Sequence, residues 1–401
     1  MRLLYIANIR LPTERAHGLQ IVQNCEAFAA AGAEVRLWVA RRFQTAELRR
    51  AADPWTHYGV ARTFQIRRLP CLDLLPLVPG RADALSKLVF AVQLATFAVA
   101  ACLGVLFARA DVYYSRDPLI LLCLSLFKPR RRLVYEAHLL AQGRAGRWIE
   151  QRVLRRVGTV FTTTRHLAES LIERGAPADR THPAHDGIRA ARFAAPQTVA
   201  EARAALGYAP TAFVVGYVGR FQTLALDKGV GVLIAAAARI EGVTVLLVGG
   251  PAEAAESFRV QWSALGRSAA EFEYAGQVAP DDVPRCLYAC DALAIPSPAG
   301  DWFAYHSSPM KLFEYMAAGR PILASDLPAL REVIDERAAV LLPPQDVTAW
   351  AEALRRLRDD PTLRSSLAAE AKARVMRAYT WEARARMILS AIGDAHLEDS
   401  L

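Results

Sequence analysis

Short, wholly apolar runs alternate along this chain with longer segments whose apolar residues recur at helical spacing. Residues 3–7, 35–40, 64–69, 111–115, 133–137 and 159–163 read as strands by the first pattern. Residues 18–31 read as a helix, with Ile21, Cys25, Phe28 and Ala29 on one side and Gly32 as its stop. Residues 165–174 read as another, stopped by Gly175. The second half repeats the alternation. Strands are expected at 212–218, 243–248, 272–275, 292–296, 322–325 and 340–342, helices at 230–240 and 346–377, and a last amphipathic helix at 381–392. Apolar strands separated by helices predict parallel, doubly wound α/β sheets. The periodicity breaks near 186–200, in AHDGIRAARFAAPQ, between two Rossmann-like halves. The expected division is an N-terminal domain over 1–186, a C-terminal domain over 187–377 and a terminal helix over 378–401.

One run departs from this pattern. Residues 88–108 carry no charge, with Arg81 and Lys87 before them and Arg109 after. Twenty apolar residues are enough to span a bilayer. A spanning helix, however, would put the strand at 111–115 on the far side of the membrane from the first strand. The other readings are a fully buried crossover helix, or a helix that lies on the sheet and dips into one leaflet. Charge favours the last. The first 186 residues hold 27 Lys and Arg against 15 Asp and Glu, and the remainder 22 against 25. Lys128, Arg130, Arg131, Arg132, Arg152, Arg155 and Arg156 suit anionic headgroups or a solvated edge. Interleaved aromatics are missing from these clusters, which argues against nucleic acid. The six cysteines stand in apolar runs without a Cys-x-x-Cys pair, so buried, reduced thiols and a cytoplasmic setting are expected. The opening MRLLYIANIR is too short for a secretory signal and reads as a strand.

The chemistry concentrates in SSPMKLFEYMAAGRPILASD, residues 307–326. Ser308 is expected to cap a helix that Pro309 opens and Gly319 stops. Lys311 falls in its first turn, where the helix dipole disfavours a cation. An anion gripped by Lys311 and the free N–H groups resolves that conflict. Glu314, further along, is placed to accept hydrogen bonds from a ribose. The second constellation is GYVGRFQTLALDKGVG, residues 216–231. Arg220 stands at the carboxyl end of a strand, where open α/β sheets bind ligands. Lys228 opens the next helix, and the two together suit a diphosphate. Neither a Walker loop nor the dinucleotide Gly fingerprint is present, which disfavours a dinucleotide-dependent oxidoreductase. Asp117, in SRDP, is expected to cap the following helix.

SSPMKLFEYMAAGRPILASDLPALREVI, GYVGRFQTLALDKGV and DALAIPS together resemble the retaining glycosyltransferases of family 4, the group 1 type, across nearly the whole chain. The resemblance implies the GT-B fold: two Rossmann-like domains facing a cleft, with the C-terminal helix crossing back to the N-terminal domain. It implies that Arg220 and Lys228 hold a donor diphosphate. Glu314 would bind the ribose, as the second glutamate of an E-x7-E motif. His306 stands where the family has the first glutamate, and this departure bears on which sugar is bound. His306, Ser307, Ser308, Met310, Lys311 and Leu312 would line the donor, with Gly18 of His17-Gly18 in the loop after the first strand. His138, in YEAH, would contact the sugar.

The implied activity is transfer of a sugar from a nucleoside-diphosphate sugar to a lipid-linked or glycan acceptor, with retention and without a metal or other cofactor. The expected location is the cytoplasmic face of an anionic membrane, peripherally bound. The competing readings are a non-catalytic nucleotide-sugar-binding or membrane scaffold protein, and a sugar-nucleotide epimerase on the same fold.

Overall fold

Continuous burial explains the strands. In the computed structural model β4 (Val112–Ser115), β5 (Leu133–Ala137) and β6 (Thr159–Thr162) are buried at every position, as strands covered by helices on both faces must be. The structure describes residues 1–13, 16–45, 48, 53–78, 84–208, 213–223 and 226–398. Arg81, Ala212, Leu224 and Ala225, which fall within the segments expected from sequence, lie outside them. The chain forms two compact units, Met1–His185 with Trp381–Leu401, and Asp186–Thr380.

The first unit is a parallel sheet of β1 (Arg2–Ala7), β2 (Glu34–Ala40), β3 (Gln65–Leu69), β4, β5, β6 and β7 (Thr181–Pro183). Its order is β3-β2-β1-β4-β5-β6-β7, so the winding reverses between β1 and β4. The helices are α1 (Ala16–Ala30), α2 (Pro54–Tyr58), α3 (Ala84–Phe107), α4 (Pro118–Leu124), α5 (Gly143–Leu154) and α6 (Arg165–Glu173).

The second unit repeats the plan. The strands β8 (Phe213–Val218), β11 (Val243–Val248), β12 (Phe272–Tyr274), β13 (Ala292–Ile295), β14 (Ile322–Ser325) and β15 (Val340–Leu342) are parallel in the order β12-β11-β8-β13-β14-β15. A two-stranded hairpin, β9 (Gln222–Thr223) with β10 (Leu226–Asp227), follows β8. Helices α7 (Val199–Leu206), α8 (Val230–Ala237), α9 (Ala252–Ala264), α10 (Val283–Tyr288), α11 (Met310–Ala318), α12 (Pro328–Arg331), α13 (Val347–Asp359) and α14 (Pro361–Ala378) cover it. The single helix expected over 346–377 is thus two. Pro361 cannot continue α13, and Asp360 caps α14 by accepting from the Leu363 N–H at 2.8 Å.

The last helix, α15 (Trp381–Glu398), packs on α1 within the first unit. Arg384 anchors it. Its guanidinium donates to Glu136 at 2.7 Å, to Asn24 at 3.0 Å and to the carbonyl of His185 at 3.1 Å. The chain leaves the second unit beside the point where it entered. Ile188 bridges Thr380, and its N–H donates to the Tyr379 carbonyl at 3.0 Å.

The apolar run is α3, and it is neither fully buried nor membrane-spanning. It joins β3 to β4 of one parallel sheet and therefore runs along that sheet. Phe97, Ala98, Ala101 and Val105 enter the core beneath it, while Leu88, Val99, Leu103 and Leu106 point outward. The cysteine expectation also needs correction. All six are free, but Cys71, Cys102 and Cys123 are only half-buried.

Candidate functional site

In the second unit the winding reverses between β8 and β13, and the expected phosphate-binding residues gather at that carboxyl edge. Gly219 and Arg220 follow β8 directly. Gly229, at φ +77°, turns the chain into α8, and a Cβ there would stand 1.8 Å from the Pro296 carbonyl oxygen. Only glycine lets the loop carrying Lys228 come this close to the end of β13. Lys228 and Lys311 line one small cavity with Tyr217, Ser297, Phe303 and Ser307.

The electrostatics of this corner are unbalanced. Lys311 Nζ sits 3.6 Å from the centroid of the Tyr217 ring, a close cation–π contact. Burial, and then the charge of Lys228, holds Lys311 well below the usual lysine range. Burial and Arg220 push Lys228 down to about 8. Neither lysine forms an ion pair among the described residues. Glu314, on the same helix as Lys311, is pushed up to about 7 by burial, against the pull of Arg192 and Lys311.

The helix start differs from expectation. Pro309, not Ser308, occupies the cap position of α11, and no side chain caps it. Ser308 Oγ instead accepts from the Asp186 N–H at 3.5 Å, so the first N–H groups of α11 have no side-chain cap. Gly319 ends the helix in the left-handed conformation, φ +63°. His306 closes a π turn, Trp302–His306, ahead of α11. Met310 and Lys311 form the first turn of the helix, and Leu312 points into the core beneath it.

In the first unit the winding reverses between β1 and β4, and a cavity of about 390 Å³ opens there. Asn8, Arg10, Thr13, His17, Arg116, Asp117 and His138 line it. Gly18 is not in a loop. It lies in the first turn of α1, pressed so close to Thr13 and Tyr58 that a Cβ would overlap both. Asp117 does not cap α4; its carboxylate accepts from the Asn8 N–H at 2.8 Å, and burial raises its pKa. His138 Nε2 lies 2.8 Å from Glu136 Oε1.

Sequence patterning misses Glu136, because it sits inside an apolar strand. It is fully buried, and it accepts from Arg116 at 3.0 Å, Arg384 at 2.7 Å and Tyr114 at 2.7 Å. Burial alone would raise its carboxyl. The charges of Arg116 and Arg384, with His138, outweigh burial and hold it well below the usual range. The pattern misses Arg192 and Tyr217 as well. Arg192 stands in the irregular boundary segment, and Tyr217 is indistinguishable by pattern from the other residues of its strand.

Two parallel α/β sheets, each with a crevice at its winding reversal, define the doubly wound class of fold, which binds ligands at that point, and known proteins narrow it. The model "Glycosyl transferase 4-like domain" matches residues 17–187, and "Glycosyl transferases group 1" matches residues 212–360. The chain belongs to the family 4 type of GT-B-fold glycosyltransferases.

Among its relatives is the D-inositol 3-phosphate glycosyltransferase of Salinispora arenicola. It is 29% identical over 265 residues, 61% of this chain and 57% of that one. The phosphatidyl-myo-inositol mannosyltransferase of Mycolicibacterium smegmatis is 32% identical over 188 residues, 46% of this chain and 45% of that one. The chain thus spans about half the length of the curated relatives it matches. Among solved structures, sucrose-phosphate synthase from Thermosynechococcus elongatus superposes with a TM-score of 0.78 at 21% identity, covering 99% and 100% of the two chains. Anabaena HepE in complex with UDP gives 0.73 at 17% identity, covering 98% and 100%.

Proposed function

We propose that the protein transfers a hexose from a nucleoside-diphosphate sugar to a membrane-presented or saccharide acceptor, with retention of anomeric configuration. The observation that carries this reading is the pair Lys228 and Lys311, two half-buried lysines that line one cavity beside the uncapped start of α11 and form no ion pair among the described residues. A diphosphate supplies the charge they lack. Arg220 completes the clamp, and Glu314, once ionised, accepts from the ribose hydroxyls. His306, Ser307 and Met310 stand around the donor sugar.

As the sugar leaves, negative charge builds on the diphosphate. This reading gives the lysines, Arg220 and the α11 dipole the task of meeting that charge, and each such group removed costs ~3 kcal/mol of transition-state stabilisation. The bond from the anomeric carbon to the phosphate oxygen breaks, and the bond to the acceptor oxygen forms on the same face. The acceptor proton passes to the departing phosphate. Among the described residues no three His, Cys, Asp or Glu side chains cluster to hold a metal, and the proposal assigns the diphosphate charge to side chains and the helix dipole. The relatives named for inositol phosphate and phosphatidylinositol support a phosphorylated or lipid-linked acceptor. The basic first half supports work at the cytoplasmic face of a membrane.

Thermal unfolding with UDP, GDP, ADP and their sugars tests the donor site. A nucleotide at 100 times its Kd stabilises the fold by ~2.7 kcal/mol. One nucleoside diphosphate should raise the melting temperature, and Arg220→Ala and Glu314→Ala should each abolish the rise. No rise with any nucleotide at millimolar concentration would overturn the reading. Binding without turnover of any donor sugar would favour the non-catalytic reading, for which His306 is the motivating residue.

A further inference from the structure

The helix α3 is apolar on both its inward and its outward face. A helix on the surface of a water-soluble domain turns apolar residues inward and polar ones outward. On α3 the inward stripe holds Gln93, Phe97, Ala101 and Val105, and Gln93 is fully buried. The outward stripe is Leu88, Ala91, Ala95, Val99, Leu103 and Leu106, without one polar residue. Less than a third of its apolar stretch is buried. Phe107 at the end of the helix is 90% exposed.

The neighbouring elements extend this face. α4 packs beside α3, and Cys102 and Cys123, one on each helix, are half-buried. The turn after α4 exposes Leu126 by 74%, with Phe127 beside it. Lys128 stands over the Phe127 ring. α5 packs against α4 in turn and carries an exposed Trp148, stacked 4.8 Å from the Arg152 guanidinium. An aromatic paired with a cation suits the level of lipid headgroups.

Charge decides what covers this surface. Residues 84–156 contain twelve Lys and Arg and four carboxylates. All four carboxylates are engaged: Glu136 and Glu150 are fully buried, Asp117 holds Asn8, and Asp111 pairs with Arg2. The elements that carry the apolar face are therefore strongly cationic in net charge.

We propose that the outward face of α3, with Leu126, Phe127 and Trp148, rests on an anionic lipid bilayer, the helix lying flat in the headgroup–acyl boundary. This deepens the reading of a membrane-presented acceptor, and its test needs no transfer reaction. The same helix reaches the cavity of the first unit. The Gln93 and Asn8 side chains exchange two hydrogen bonds, of 2.8 and 3.0 Å, and Phe90 lines the cavity. Seating α3 in a leaflet thus brings that cavity to the headgroup layer, where an acceptor held by a lipid enters past Phe90.

Co-sedimentation of the full chain with vesicles tests the proposal, using phosphatidylglycerol-rich and pure phosphatidylcholine vesicles without nucleotide. Wild type should bind the anionic vesicles at least about tenfold more tightly than the neutral ones, with affinity falling as salt rises. Val99→Glu with Leu103→Glu should reduce that binding about tenfold or more, while circular dichroism and melting cooperativity show the fold intact. A wild type that does not bind anionic vesicles overturns the proposal. So does a double variant that binds as well as wild type. A wild-type dimer that the double variant converts to monomer, with vesicle binding unchanged, assigns the face to a second copy instead.

Discussion

Glu136 Oε1 meets the Nε2 of His138 at 2.8 Å and the guanidinium of Arg384 at 2.7 Å, so one buried oxygen holds both a cavity residue and the terminal helix. Replacing Glu136 by Gln keeps the shape and removes the charge. Arg116 and Arg384 then lose the buried carboxylate that both donate to. The expected loss is about 3–5 kcal/mol of stability, read by urea denaturation. The Glu136 carboxyl is depressed by folding. Its contribution is therefore full above the ordinary glutamate value of 4.5 and is lost as pH falls through its folded value. The variant should differ from wild type at neutral pH and converge on it in strong acid.

Glu314 works in the opposite sense. Burial raises it to about 7, so its contribution to folding is full below about pH 4.5 and lost as pH rises through 7. Glu314→Gln should therefore raise stability at pH 8 by about 1–3 kcal/mol while removing the melting shift caused by nucleotide. A variant destabilised at pH 8 would show that Glu314 is a structural carboxylate and not a ligand-binding one.

Nucleotide affinity should follow the same groups. A ribose needs Glu314 ionised, which requires a pH above about 7. A diphosphate needs Lys228 charged, which favours a pH below about 8. Calorimetric titration across pH 5.5–10 should show affinity greatest near 7–8, and proton uptake on binding at the alkaline end. A flat profile would remove both residues from the site.

Gly229 and Gly266 share φ +77°, but only Gly229 has a neighbour where its Cβ would be. Gly266→Ala should cost about 1 kcal/mol for the backbone alone. Gly229→Ala should cost about 3 kcal/mol or more, because a main-chain oxygen cannot move aside as a side chain can. Equal melting temperatures for the two variants would show that the loop before α8 is free to shift.

The sheets are legible in the sequence because their strands are buried on both faces and therefore apolar without interruption. β7, with the sequence THP, and the strands Gln222–Thr223 and Leu226–Asp227 carry no such signal; they are too short to show a pattern, β7 pairing with β6 and the other two with each other. The run 307–326 is legible as a helix with a Gly stop, yet its Ser308 cap does not form. A preference for serine at a cap gives way when the backbone of Asp186 competes for the same hydroxyl. Lys228 and Lys311 can be paired from sequence only by assuming a shared sheet edge. Arg384 and Glu136, 248 residues apart, offer nothing to pair them. In α3 the pattern is visible, but only the burial of Gln93 and the exposure of the leucines distinguish a helix lying on the sheet from one buried inside it.

The return of the chain through α15 imposes an order on synthesis. The unit built from Met1–His185 is not complete until Trp381–Leu401 is added. Until Arg384 leaves the ribosome, Glu136 lacks one of its two guanidinium partners. The intervening unit has no such dependence; Ile188 and Thr380 clasp its two ends together, and it can close as soon as its own last strand and helices emerge. The half of the molecule that is translated first is thus the half that finishes folding last.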